Sequence, residues 1–185
     1  YVPQDYLTIQ EGIDWANSGD TVLVAEGVFN ENINWPNING IKLIGSGVNS
    51  TFIDGNSSGR VISFSGEGFW DIDSSTTIES LTIQNGYLSG WESGAGIQSL
   101  ESDIKIINVN IYNNHCANGN GGGMHTGSSS PYLENVTFMN NSAGYGGGLV
   151  SGGSDLILNN VLIKENSSNV KCGGLYLSNA NATIN

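Results

Sequence analysis

Basic residues are nearly missing from this chain. Lys and Arg together number 5 in 185 residues, against 17 Asp and Glu, and the formal net charge is −12. A nucleic-acid backbone finds no cationic surface here, and an anionic lipid surface would repel the chain. No apolar run approaches the ~18 residues that a membrane span requires, so no membrane insertion is expected of this segment. Two cysteines, Cys116 and Cys172, are too few for a disulfide framework. Charged residues make up only 12%, yet 38% are apolar and arranged in regular β-branched patterns, which argues for a packed fold over disorder. Proline occurs 3 times, whereas glycine occurs 27 times alongside frequent asparagine. That mixture suits repeated tight turns between short strands and disfavours helices.

The chain repeats itself. Residues 78–86 (IESLTIQNG), 106–114 (IINVNIYNN), 133–141 (LENVTFMNN) and 158–166 (LNNVLIKEN) share one apolar pattern, and the last three end in Asn114, Asn141 and Asn166. A glycine block comes after each copy and places Gly96, Gly123, Gly148 and Gly174 in one phase. The two blocks advance together by about 26 residues, and within each the apolar residues alternate with period 2, the mark of a strand with one buried face. A period this short fits one turn of a parallel β-solenoid. Shorter coils with strands at residues 21–24, 41–44 and 60–64 extend the plan towards the amino terminus. About seven coils are expected. Cys116 and Cys172 then fall two coils apart, roughly 10 Å by strand spacing alone, and are expected not to bond to each other.

One helix is expected near Thr8–Ala16, with Ile9, Ile13 and Ala16 on one stripe and Thr8 and Glu11 at capping-box spacing. Residues 1–20 are therefore read as an N-terminal cap of strand and helix, and 21–185 as a single β-helix whose last coil is incomplete. The open carboxyl end is expected to be covered by end-to-end stacking of copies or by further coils of a longer chain. Residues 66–75 (GEGFWDIDSS) break the coil spacing and are read as a projecting loop.

These segments resemble known proteins. Residues 19–25 (GDTVLVA), 41–45 (IKLIG) and 51–55 (TFIDG) are similar to the opening coils of secreted right-handed parallel β-helix proteins of the pectin-lyase-like superfamily. From residue 78 onward, F-x-x-N at Phe138–Asn141 and G-G-G-L at Gly146–Leu149 resemble the repeats of polymorphic outer-membrane proteins. Ile111 and Ile163 stand where neighbouring copies would carry Phe. The resemblance implies an all-β right-handed parallel β-helix outside the cell or on its surface, with a non-catalytic structural or adhesive role and no cofactor. Its competing implication is a polysaccharide-binding module or a polysaccharide-cleaving enzyme.

Several constellations bear on that choice. Asn114, Asn141 and Asn166 stacked at the strand spacing form a structural amide ladder, and Gly96, Gly123, Gly148 and Gly174 serve close coil-to-coil approach. His115, Cys116 and His125 lack the spacing of a metal site, so no metal is expected. Lyase-type chemistry on a uronate polymer needs clustered acids and a basic residue, whereas Arg60, Lys42, Lys105, Lys164 and Lys171 are the entire cation supply. A glycosidase needs two carboxylates about 5–9 Å apart. Asp71 and Asp73, with Trp70, Tyr87 and Trp91 nearby, make the expected carbohydrate contacts, the alternative being solvated turn residues on a β-surface.

Overall fold

The computed structural model describes residues 1–65 and 72–185. Trp70 and Asp71, two of the expected carbohydrate contacts, lie outside the described residues. The fold is built by alternation along the chain: β-branched residues two apart bury one face, and glycine or asparagine turns the chain before the next strand.

The first coil holds β1 (Thr21–Leu23), β2 (Gly27–Asn30) and β3 (Ile33–Asn34), and the second holds β4 (Lys42–Ile44), β5 (Thr51–Asp54) and β6 (Ile62–Ser65). The third holds β7 (Thr77–Gln84), β8 (Tyr87–Leu88) and β9 (Ile97–Leu100). The fourth holds β10 (Lys105–Tyr112), β11 (His115–Cys116) and β12 (Met124–Gly127), and the fifth β13 (Tyr132–Met139), β14 (Ser142–Tyr145) and β15 (Leu149–Gly152). A sixth coil contains β16 (Asp155–Asn159), β17 (Leu162–Lys164), β18 (Ser167–Lys171) and β19 (Leu175–Ser178), and β20 (Asn181–Ile184) opens the next. All the strand pairings are parallel, and each coil stacks on its neighbour in three sheets. The molecule is a right-handed parallel β-helix of about 6 turns.

The count is about 6 where seven coils are expected from sequence spacing. The reason is residues 60–64, expected to open a coil of their own: β6 instead pairs with β3 and β9 in the third sheet and closes the second coil, so that Leu43 pairs next with Ile78.

Inside the coils Leu43, Ile78, Ile106, Leu133 and Leu158 stack as one apolar row, and Ile83, Ile111, Phe138 and Ile163 as another. Ile111 and Ile163 therefore occupy the same inward position as Phe138, which explains why an aliphatic side chain serves there. The amino-terminal end is closed by α1 (Ile9–Asp14), whose Ile9 and Ile13 are buried. Thr8 and Glu11 form the reciprocal capping box. A second carboxylate assists: Glu31 of the first coil accepts the backbone N–H groups of Ile9 and Gln10 at 2.8 and 2.9 Å. Satisfying these otherwise unpaired helix donors from the first coil ties the helix to the rod. Val2 extends the cover by bridging Val24.

Candidate functional site

The long strands β7, β10 and β13 each bend at a residue with positive φ, namely Ser80, Asn108 and Asn135, and Asn160 separates β16 from β17 at the same level. Asparagine tolerates this left-handed conformation better than other non-glycine residues. The bend divides the long sheet lengthwise. Beyond it, alternation sends two rows of side chains outward. Phe52, Thr82, Asn110, Thr137 and Leu162 form the first row, in continuous register. Asp54, Gln84, Tyr112, Met139 and Lys164 form the second.

These rows floor a groove of about 390 Å³, walled at one end by Val48 and Asn49. Thr82 holds that wall by donating its hydroxyl to the Val48 carbonyl at 2.7 Å. Four strand steps separate Phe52 from Leu162, so the groove runs ~19 Å along the rod. It offers aromatic and aliphatic surface (Phe52, Tyr112, Met139, Leu162) interleaved with amides and a hydroxyl (Gln84, Asn110, Thr137). Extended ligands with apolar faces and polar edges suit such a lining.

Asp54 stands at one end and is nearly buried. Its carboxylate accepts the Gln84 and Asn85 side-chain amides, both at 2.7 Å, and the Asn56 backbone N–H at 2.8 Å. Asn85 in turn accepts from Asn113 at 2.7 Å, so the acid terminates a row of amides along the groove rim. Among the described residues no carboxylate lines the groove itself, and Asp54 borders it beside Gln84. This arrangement does not present the paired acids that glycoside hydrolysis uses. Both amides are directed at the carboxylate, so what Asp54 offers that end of the groove is a single fixed acid.

The described residues singled out in the sequence, Asp73, Tyr87 and Trp91, lie elsewhere. Asp73 sits in an exposed turn before β7, where the Ser75 hydroxyl and backbone N–H donate to it and hold its carboxyl below the usual range. Tyr87 is on β8, in a different sheet, and its ring stacks on His115 with centroids 5.2 Å apart. Trp91, 80% exposed, comes after β8 in the turn towards β9. Asp73 and Trp91 thus occupy different turns of the coil and do not join the groove. The sequence signal for the groove is the outward half of each repeat, the polar or variable positions between the apolar ones.

Asn114, Asn141 and Asn166 face inward at the corner after the groove strands. Asn141 receives the Asn114 amide, and Asn166 receives that of Asn141, each at 3.0 Å. Their amides also donate to the carbonyls of Ile83, Ile111 and Phe138. Gly96, Gly123 and Gly148 make room for this row: a Cβ on each would lie 2.9, 3.0 and 3.1 Å from the Asn114, Asn141 and Asn166 amide nitrogens respectively.

Arg60 is committed to structure, donating to the Ser93 and Gly94 carbonyls, and burial lowers its pKa against the opposing pull of Glu92. Burial likewise lowers His125, with Arg60 adding to it, and pushes the Cys116 thiol up to about 11. Cys116 and Cys172 are both free. Among the described residues no three His, Cys, Asp or Glu side chains are placed to hold a metal.

No protein-family model matches the chain, and no curated protein matches it in sequence. Solved structures do match in shape. A pectin methylesterase in complex with a hexasaccharide superposes with a TM-score of 0.58 at 12% identity, covering 98% of this chain and 63% of that one. Pectin methylesterase from Yersinia enterocolitica gives 0.53 at 13% identity, covering 82% and 55%. The chain thus spans about three fifths of the length of these structures, and the likeness establishes the fold. It also corrects one expectation. The resemblance implies a non-catalytic role, but the solved chains that share this architecture are enzymes, so the architecture gives no ground for an inert rod. These matches do not bear on the repeats similar to polymorphic outer-membrane proteins. In fold, the chain is a pectin-methylesterase-like right-handed β-helix.

Proposed function

We propose that this protein binds an extended polysaccharide outside the cell, laying the chain along the groove between Phe52 and Lys164. The observation that carries this reading is the pair of outward rows in unbroken register, which present aromatic, aliphatic and amide groups at successive strand steps along ~19 Å. An extended polymer suits a surface that continues across five strands. Support comes from the fold neighbours, one of which is a hexasaccharide complex. Processing of the bound chain is a second reading, favoured by Asp54 at the groove end with two amide donors upon it.

A polysaccharide array and then titration test both. Phe52→Ala and Tyr112→Ala are expected to weaken binding at least about tenfold, a loss of ~1.4 kcal/mol. Trp91→Ala is expected to leave it unchanged. Loss of binding in Trp91→Ala with none in the groove variants would move the site to the β8–β9 turn and overturn the proposal. For the second reading, product release from the bound polymer should vanish in Asp54→Asn while binding persists.

A further inference from the structure

The groove is almost uncharged on a strongly anionic molecule, and this sets which polysaccharides it accepts. Each of the five cations in the chain has a definite place. Arg60 is held by the Ser93 and Gly94 carbonyls, away from the groove. Lys171 lies on β18, in another sheet. Lys42 and Lys105 are on the long sheet but on the far side of its bend, in the outward row that passes through Thr77 and Tyr132. The neighbouring outward row there carries Glu79 and Glu134. Only Lys164 lines the groove, at its last strand. Asp54 stands at the opposite end, and between them come Gln84, Asn110, Tyr112, Thr137 and Met139, all neutral.

We infer, resting on the polysaccharide reading above, that the groove takes a neutral polysaccharide and rejects polyuronates. A uronate polymer carries a carboxylate on every sugar. Laid along ~19 Å it would place several in the groove, of which one meets Lys164 and one approaches Asp54. The others would shed their hydration against amides and apolar side chains with no cation to offset that cost. The net charge of −12 adds a repulsive field over the whole encounter. A neutral chain incurs neither penalty. Its hydroxyls meet Asn110 and Thr137, and its apolar ring faces meet Phe52, Tyr112 and Met139.

The test measures binding to soluble galactan, xyloglucan, mannan and mixed-linkage β-glucan beside fully de-esterified polygalacturonate and alginate, at about 0.05 and about 0.5 M salt. At least one neutral polymer is expected to bind, with affinity changing less than about twofold between the two salts, because no ion pair contributes. The polyuronates are expected to bind at least about tenfold more weakly at the lower salt, where repulsion is least screened. Thr137→Arg, a change at an outward position, should confer polyuronate binding by placing a cation mid-groove. Polyuronate binding as strong as that of every neutral polymer, removed by Lys164→Ala, would overturn the inference while leaving the groove as the binding site. Neutral binding untouched by Tyr112→Ala and by Phe52→Ala would overturn both, since the site would lie elsewhere. Absence of binding to any polysaccharide by a protein with an unchanged circular-dichroism melt would overturn the parent reading first and the inference with it.

Discussion

Single residues in this rod answer to stacking partners one coil above and one below. Asn141 shows the logic most fully. Its Oδ1 accepts the Asn114 backbone N–H and side-chain amide, and its own amide reaches Ile111 and Asn166. An isolated buried amide would be costly, whereas a column of them satisfies each member. Cysteine placement obeys the same geometry. Cys116 sits with Leu88, Ala95 and Ala143 in a small apolar cluster, and Cys172 is exposed. Alkylation at pH 8 should therefore modify Cys172 alone, with Cys116 reacting only in denaturant, as read by peptide mass spectrometry. The pH dependence has a definite sign. The Cys116 thiol is raised to about 11 in the folded state against ~8.5 in the unfolded chain. The unfolded state then releases a proton that the folded state retains, so this contribution is complete below ~8.5 and disappears as pH climbs towards 11. A Cys116→Ala variant should lose less of its melting temperature over that interval than the parent protein does.

Among the elements, the turn glycines and the corner asparagines form two columns that require each other. A Cβ at Gly96 would stand 2.3 Å from the Gly123 carbonyl oxygen, and one at Gly123 2.5 Å from that of Gly148. Backbone carbonyls in a ladder cannot retreat, so these positions exclude every side chain. Gly174 differs, for the nearest atom to its Cβ would be Ile163 Cγ2 at 3.2 Å, part of a side chain that can adjust. Gly123→Ala is accordingly expected to destabilise by about 1–3 kcal/mol, the range for overpacking a filled interior. Gly174→Ala should cost clearly less. Chemical denaturation of the two variants decides this: equal midpoints would show that the glycine column has no steric role. The helix α1 makes a similar point about local and tertiary cause. Its capping box is local, but Glu31, the third group on its first turn, arrives from between β2 and β3 of the first coil.

At the scale of the molecule, each coil touches only its neighbours, so stability is a sum of coil terms and interface terms. The third to fifth coils have a neighbour on both sides and a fully buried interior of Ile78, Ile106, Val109, Leu133 and Phe138. In the sixth coil Leu162 and Val170 are 50% and 59% exposed. For this 185-residue chain native-state hydrogen exchange is expected to be graded along the rod, with amides of β17–β20, where Leu162, Val170 and Ile184 are exposed, opening first, those of β10 and β13 last, and the first coil held back by α1. Uniform protection from β1 to β20 would contradict this and indicate a single cooperative unit. The same geometry makes the groove a cooperative feature of the stack, for no coil supplies more than two or three of its residues.

What is legible in the sequence divides from what is not along a physical line. Periodicity, capping chemistry and the phase of Asn114, Asn141 and Asn166 are local or near-neighbour properties, written in the spacing of residues along the chain. From them the sequence by itself determined a parallel β-solenoid with a helix before its first coil, because a solenoid buries a face that recurs every 26 residues or so, and the right hand was implied by the resemblance of its opening coils. The groove is not legible. Phe52, Gln84, Asn110, Tyr112, Thr137 and Lys164 come from five coils, and each occupies an outward strand position where sequence pattern sets no constraint. Asp73 and Trp91 stand out as an acid and an aromatic 18 residues apart, and the coil carries them to different turns, before β7 and after β8. The number of coils is likewise decided by tertiary pairing, since the long interval between Leu43 and Ile78 is closed by a single ladder step. Inward positions are specified by the cost of exposing them to water, and so they recur in the sequence. Outward positions acquire their neighbours only when the coils are stacked, which is why the tertiary structure alone could bring this site together.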